Sequence, residues 1–202
     1  MNETTPTGSV PAFTGQRLLY VVTGSVAAMF APMWANWLRT AYPDVELKVV
    51  LTESAENFTG VSALSLMAKS DIIKDAWPKP PLTALHVELS HWADSVIVYP
   101  ATFSFIGRLA QGMADTPAML ALQCTKAPIA VAPALPPGAA ESHSYARHMK
   151  ELAQWPNLTV VPGIRGISAT TGERGSHAPA QLPAVIAMLE KHRYRMKAQA
   201  NG

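Results

Sequence analysis

Proton transfer near neutral pH needs imidazole, and this 202-residue chain carries six histidines beside a single cysteine. An imidazole, with a reference pKa of about 6.5, can take a proton from a thiol whose reference value is about 8.5. His86 and His91 lie one helical turn apart on a short amphipathic segment, ahead of the apolar run Ser95-Val-Ile-Val-Tyr99. Alone, such a histidine is more often structural than catalytic. A second kind of chemistry is written in small and hydroxylated residues that follow apolar runs. Gly24 and Ser25 sit where a strand runs into a helix, a turn that exposes backbone N–H groups at a positive helix end and suits a phosphate. The same pair also reads as a tight turn with an N-cap, and Ser54 reads as an N-cap too. His143, His148 and His177 fall in segments expected near the surface. Cys124 lies on an apolar stretch and is expected in the core. Asp115 is expected to cap the helix after it, and Asp94 to orient a backbone turn. No His/Cys/Asp/Glu spacing suits a metal, and neither a G-x-G-x-x-G nor a P-loop is present.

The elements that position these residues alternate. Strands are expected at Leu18–Val22, Leu47–Leu51, Ser95–Tyr99, Ile129–Ala132 and Leu158–Val161. The first helix runs through Ala27, Phe30, Trp34 and Leu38, with Pro32 kinking it or shifting its start. Phe58, Val61, Leu64 and Met67 mark one face of the next helix. Asp71–Pro81 reads as a surface connector, and Pro100–Phe105 as a turn leading to a helix over Ile106–Met113. Further helices are expected at Pro117–Cys124, Ser142–Trp155 and about Ala180–Met196, with a mobile loop at Gly163–Gly175. Strand alternating with helix makes an α/β protein with a doubly wound parallel sheet in three α/β/α layers. Residues 1–15 read as a loose tail and 16–198 as a single domain. A net charge of +2 leaves no basic stripe for nucleic acid, and no apolar run reaches membrane-spanning length. One cysteine and no signal-peptide pattern imply a cytoplasmic protein.

From about Arg17 to about Gly175 the order of pieces resembles a known family, the homo-oligomeric flavin-containing cysteine decarboxylases. These include phosphopantothenoylcysteine decarboxylase and the lantibiotic peptidyl-cysteine decarboxylases. The pieces are His86, Ala93-Asp94, Val96-Ile97-Val98, Pro100-Ala101-Thr102-Phe103-Ser104-Phe105 and Gly112-Met-Ala-Asp115. Gly24-Ser25-Val26-Ala-Ala resembles the family's flavin-phosphate loop, and Thr52, Ser54, Ala55 and Phe58 its Thr-x-Ser-Ala-x-x-Phe turn. The resemblance implies a Rossmann-like flavoprotein holding FMN or FAD. It assigns the flavin to Gly24, Ser25, Val26, Thr52, Ser54, Phe58, Thr102, Phe103, Ser104 and Phe105. It assigns the substrate to Ala134, Leu135 and Pro136, and makes His86 the base that deprotonates the thiol. The implied reaction is oxidative decarboxylation of a precursor peptide's C-terminal cysteine. Hydride loss to the flavin leaves a thioaldehyde, which takes up the electrons as the carboxylate leaves and yields an enethiol. Implied too is an assembly of trimers, up to a dodecamer, with sites between subunits and Trp77, Pro78, Pro80 and Pro81 in a loop able to reach a neighbour.

Two departures bear on the substrate. Ser104 stands where the family has one Asn, and Pro136 where its Pro-x-Met-Asn has another. An amide offers two donors and an acceptor, serine one donor and proline no side-chain donor. A carboxylate held by two such amides must here be held differently, or the activity is altered. The missing pair argues against the pantothenate-type decarboxylase, which stays an alternative beside a flavin prenyltransferase and a flavin-bound regulator without turnover, the last favoured by Ser104 and Pro136.

Overall fold

The computed structural model describes residues 10–80, 83–167, 171–172 and 174–200. Six strands form one parallel sheet: β1 (Arg17–Val22), β2 (Glu46–Leu51), β3 (Ile72–Lys74), β4 (Ser95–Thr102), β5 (Ile129–Ala134) and β6 (Leu158–Val160), in the order β3-β2-β1-β4-β5-β6. Their continuous apolar runs follow from burial on both faces. Leu18, Tyr20 and Val22 point toward α1 (Ala31–Ala41), α2 (Val61–Ala68) and α7 (Leu182–Ala200). Leu19 and Val21 point toward α3 (Leu85–Trp92), α4 (Phe103–Ala110), α5 (Pro117–Cys124) and α6 (His143–Leu152). The expected three-layer, doubly wound fold is present. Pro32 shifts the start of α1: it sits in the first turn, where its missing N–H costs nothing, and Val26–Phe30 before it forms a 3-10 turn.

Several local expectations are corrected. The connector at 71–81, whose Pro81 lies outside the described residues, contains β3, whose three residues are too few to show a period. The presumed turn at Pro100–Phe105 is instead the end of β4 and the start of α4. The strand continues because Ala101 and Thr102 still pair with Pro133 and Ala134, past an irregularity after Val98 that absorbs the proline. The described residues within 163–175 are not a simple loop, and 168–170 and 173 lie outside the described part. The described ones contribute β7 (Ile164–Ile167), antiparallel to β8 (Arg174–Ala178). Thr116, rather than Asp115, caps α5, accepting from the Met119 N–H at 3.3 Å, while Asp115 pairs with Arg108 at 2.7 Å. Cys124 ends α5 and is exposed, so it is no core residue. His148 is buried, at 5% exposure, rather than superficial.

The loose-tail expectation is corrected for residues 11–15, while residues 1–9 lie outside the described part. Thr14 donates through its N–H and hydroxyl to Glu190, and Tyr42 donates its hydroxyl to the Pro11 carbonyl. Asp94 does orient the entry to β1, accepting from the N–H groups of Gln16 and Arg17 and pairing with Arg193.

One core residue is a stability liability. The Tyr20 hydroxyl is buried without a hydrogen-bond partner, and burial pushes its phenol well above the ordinary value. Tyr20→Phe is expected to raise stability by about 1 kcal/mol, read as a higher unfolding midpoint. A lower midpoint would mean that the hydroxyl has a partner.

Candidate functional site

Strand order reverses between β1 and β4, so the chain leaves these two neighbours toward opposite faces and a crevice opens beyond their carboxyl ends. Thr23 ties the crevice together. Its buried hydroxyl donates to the Pro100 carbonyl at 2.7 Å and accepts from the Thr102 N–H at 2.9 Å. The next residue must be glycine: a Cβ on Gly24 would lie 2.4 Å from Ser54 Oγ and 2.8 Å from the Ser54 carbonyl carbon. Ser25, in extended conformation, caps the 3-10 turn by accepting from the Ala27 N–H at 3.3 Å. Thr102 caps α4 in the same way, accepting from the Phe105 N–H at 3.2 Å.

These turns bound a cavity of about 610 Å³. Gly24, Ser25, Val26, Phe58, Thr102, Phe103 and Ser104 all line it, and so do Ala134, Leu135 and Pro136 from the end of β5. The structure thus brings together ten of the residues singled out in the sequence. Thr52 and Ser54 do not line it. They lie behind it, with Ser54 against Gly24 and the Thr52 N–H bonded to the Val22 carbonyl at 3.1 Å. Phe105 is 1% exposed and packs in the core, with Arg108 5.6 Å from its ring centre, so it is no wall of the cavity. His86 is on α3 and does not line the cavity of its own chain. Its ring meets Trp77 edge-on at 5.6 Å, and its buried Nδ1 has no hydrogen-bond partner.

Sequence reasoning missed Phe30 and Pro137, and also Ile167, Ser176, His177, Ala178 and Pro179 on and after the β7–β8 pair. His177 had been expected near the surface; it is half-buried and lines the cavity. Little local signal marks these two strands, since Ile164–Ile167 and Arg174–Ala178 are short, glycine-bearing and only weakly apolar. The hairpin is fastened to the sheet, since Leu135 and His177 exchange two backbone hydrogen bonds of 2.8 and 3.0 Å.

A flavin mononucleotide fits this arrangement. The volume lies within the range of cofactor sites, and Val26, Phe30, Phe58 and Phe103 offer apolar walls to a planar ring system. Gly24 lets backbone approach closely, and Ser25 places a hydroxyl at the start of the 3-10 turn, at the cavity wall, where a phosphate can meet it. Among the described residues, no group of His, Cys, Asp and Glu could hold a metal ion, and no helix is long and apolar enough to cross a membrane.

Comparison with known proteins agrees with the geometry. The chain is 32% identical over 189 residues to cypemycin cysteine dehydrogenase (decarboxylating) of Streptomyces sp, covering 92% of this chain and 98% of that protein. It is 37% identical over 127 residues to the coenzyme A biosynthesis bifunctional protein CoaBC of Escherichia coli K12, covering 61% of this chain and 30% of that longer protein. The crystal structure of the cypemycin decarboxylase CypD superposes with a TM-score of 0.76 at 30% identity, covering 93% of this chain and 98% of that one. The FMN-dependent cysteine decarboxylase TvaF from thioviridamide biosynthesis superposes with a TM-score of 0.67 at 27% identity, covering 72% of this chain and 89% of that one. The match to the Flavoprotein family runs over residues 11–194, and with nearly the whole chain accounted for, the protein belongs to that family.

Proposed function

We propose that this flavoprotein is an FMN-dependent oxidative decarboxylase acting on the C-terminal cysteine of a precursor peptide. The observation that carries the reading is the cavity at the β1/β4 switch point, in a chain that is similar to cypemycin cysteine dehydrogenase over nearly its full length. Bound FMN supplies the electron acceptor for oxidising the cysteine side chain. The protein's part is placement and proton transfer. Gly24, Ser25 and Val26 hold the phosphate end, and Phe58, Thr102, Phe103 and Ser104 lie along the ring system. Thr52 and Ser54 support the first of these turns from behind. Ala134, Leu135 and Pro136 face the substrate. His86 takes the thiol proton.

His86 does not line its own chain's cavity, which supports a site completed between copies, in a homo-oligomer built of trimers, up to a dodecamer, as the family resemblance implies. Exposed apolar side chains beside the cavity support this: Val26 is 47% exposed, Met29 55%, Phe30 50% and Met33 52%. Light scattering is expected to give a mass above that of a dimer, and a monomer mass would sink the shared site. The domain from 16 to 198 works as one unit, in the cytoplasm.

The test begins with colour. Purified protein should be yellow and release FMN. Incubated without oxygen with a cysteine-ending peptide, its flavin should bleach and the peptide should lose carbon dioxide and two hydrogens. A serine-ending peptide should remain intact, since its hydroxyl is far less acidic and gives no thiocarbonyl. Ser25→Asp should weaken FMN uptake by about ten-fold or more, as a carboxylate there repels the phosphate. A second reading, flavin binding without turnover, is favoured by the missing donor at Pro136. It prevails if a panel of cysteine-ending peptides stays intact while the flavin remains oxidised without oxygen.

A further inference from the structure

We propose that His177 holds the α-carboxylate of the substrate's terminal cysteine, replacing the amide donor that Pro136 does not supply; this deepens the decarboxylase reading and rests on it. A carboxylate entering an apolar cavity loses its hydration and must meet a donor. Among the described residues lining the cavity, His177 has the only ionisable side chain. The other side-chain donors there are the neutral hydroxyls of Ser25, Thr102, Ser104 and Ser176, of which those of Ser25 and Thr102 are held in place by accepting backbone N–H groups of the segments that follow them. The position is also right. Two backbone hydrogen bonds, of 2.8 and 3.0 Å, lock His177 to Leu135, immediately beside Pro136. Leu135 is itself 5% exposed and packed in the core, so the anchor is rigid. Nδ1 is buried and lacks a hydrogen-bond partner, so it neither ties the ring elsewhere nor can be reached from the cavity, and the contact falls to Nε2. Imidazole donates from a ring N–H whether neutral or charged, so one hydrogen bond to a carboxylate oxygen is available in either state. The contact orients the departing group and forms no bond to it. Arg165, directly across the hairpin from His177, is the competing cation, but it is exposed and does not line the cavity.

The test uses FMN-loaded protein and pools of acetylated hexapeptides of randomised sequence. Pools ending in serine, as free acids and as carboxamides, report binding without turnover. The parent should bind the acids about ten-fold more tightly than the amides, the range of a hydrogen bond to a charged group. In His177→Leu that ratio should fall to about one, and in His177→Gln, which keeps a donor, it should be partly retained. With cysteine-ending acids, His177→Leu should raise KM about ten-fold and change kcat much less, at unchanged flavin content. If His177→Leu loses its flavin, His177→Phe, which keeps a ring without a donor, gives the same comparison. The proposal is overturned if the parent shows no preference for acids. It is equally overturned if the preference survives in His177→Leu, or is abolished by Arg165→Leu and not by His177→Leu. A parent that prefers acids, loses this preference in His177→Leu, yet decarboxylates no cysteine-ending peptide, retains the contact and refutes the decarboxylase reading instead.

Discussion

His86→Asn is expected to lower turnover of a cysteine-ending peptide by about 10²- to 10⁴-fold, the usual worth of a positioned general base. Flavin content and assembly mass should not change. Neither should depend on the imidazole, because His86 does not line the cavity and its Nδ1 makes no hydrogen bond. The ring's one described aromatic neighbour, Trp77, is held separately by donating its indole N–H to the Asp115 carbonyl at 2.8 Å. His91→Asn, one turn further along α3 at an exposed position, should change little. Mixing gives a sharper version of the test. With the site shared between copies, as proposed, His86→Asn and Ser25→Asp each spoil one half of it, so co-assembled oligomers should recover activity in about a quarter of their sites by random combination. A site contained within one chain would show no recovery. If His86→Asn turns over as fast as the parent, the base has been misassigned.

Much of the site could be read in advance because its parts are local. Gly24-Ser25 and Thr102 each follow a run buried on both faces, and in a doubly wound sheet such strand ends converge on one edge. What stayed hidden depended on non-local pairing or on phase. β4 carries on past Pro100 only because β5 is beside it, and nothing in the local sequence reports that partner. Reading Pro100–Phe105 as a turn also hid the helical phase. Phe103 and Phe105 seemed equivalent there, yet in α4 Phe103 lines the cavity and Phe105 turns into the core. His177 was misplaced for the same kind of reason, since its hairpin is pinned by Leu135, 42 positions earlier. Cys124 was misjudged from the hydrophobicity of α5, whose last turn is exposed at that position.

Replacing Gly24 by alanine is expected to damage flavin uptake more than any other single methyl group added in this chain's cavity. The added Cβ would lie 2.4 Å from Ser54 Oγ, 2.6 Å from Ser54 Cβ and 2.8 Å from the Ser54 carbonyl carbon. Rotating the Ser54 side chain relieves only the first contact; the other two require backbone movement. Overpacking of this kind costs about 1–3 kcal/mol, visible as a lower unfolding midpoint. The functional loss should be larger than the stability loss suggests, because the backbone that must move is the turn between Thr23 and Ser25. Thr23 is fixed at both ends of its hydroxyl, to Pro100 and Thr102, so displacement is forced onto Ser25 and the N–H groups behind it. With the phosphate at this turn, as proposed, a shift there would misplace the Ser25 hydroxyl, and FMN affinity should fall by about ten- to a hundred-fold. Gly24→Ala combined with Ser54→Gly removes the two closest contacts and leaves the third, so it should recover part of the affinity and part of the midpoint. Ser54→Gly alone should do little to flavin binding, since that side chain does not line the cavity. Equal FMN affinity and equal midpoints for Gly24→Ala and the parent would show that Ser54 does not pin this turn, and that the phosphate end of the flavin lies elsewhere.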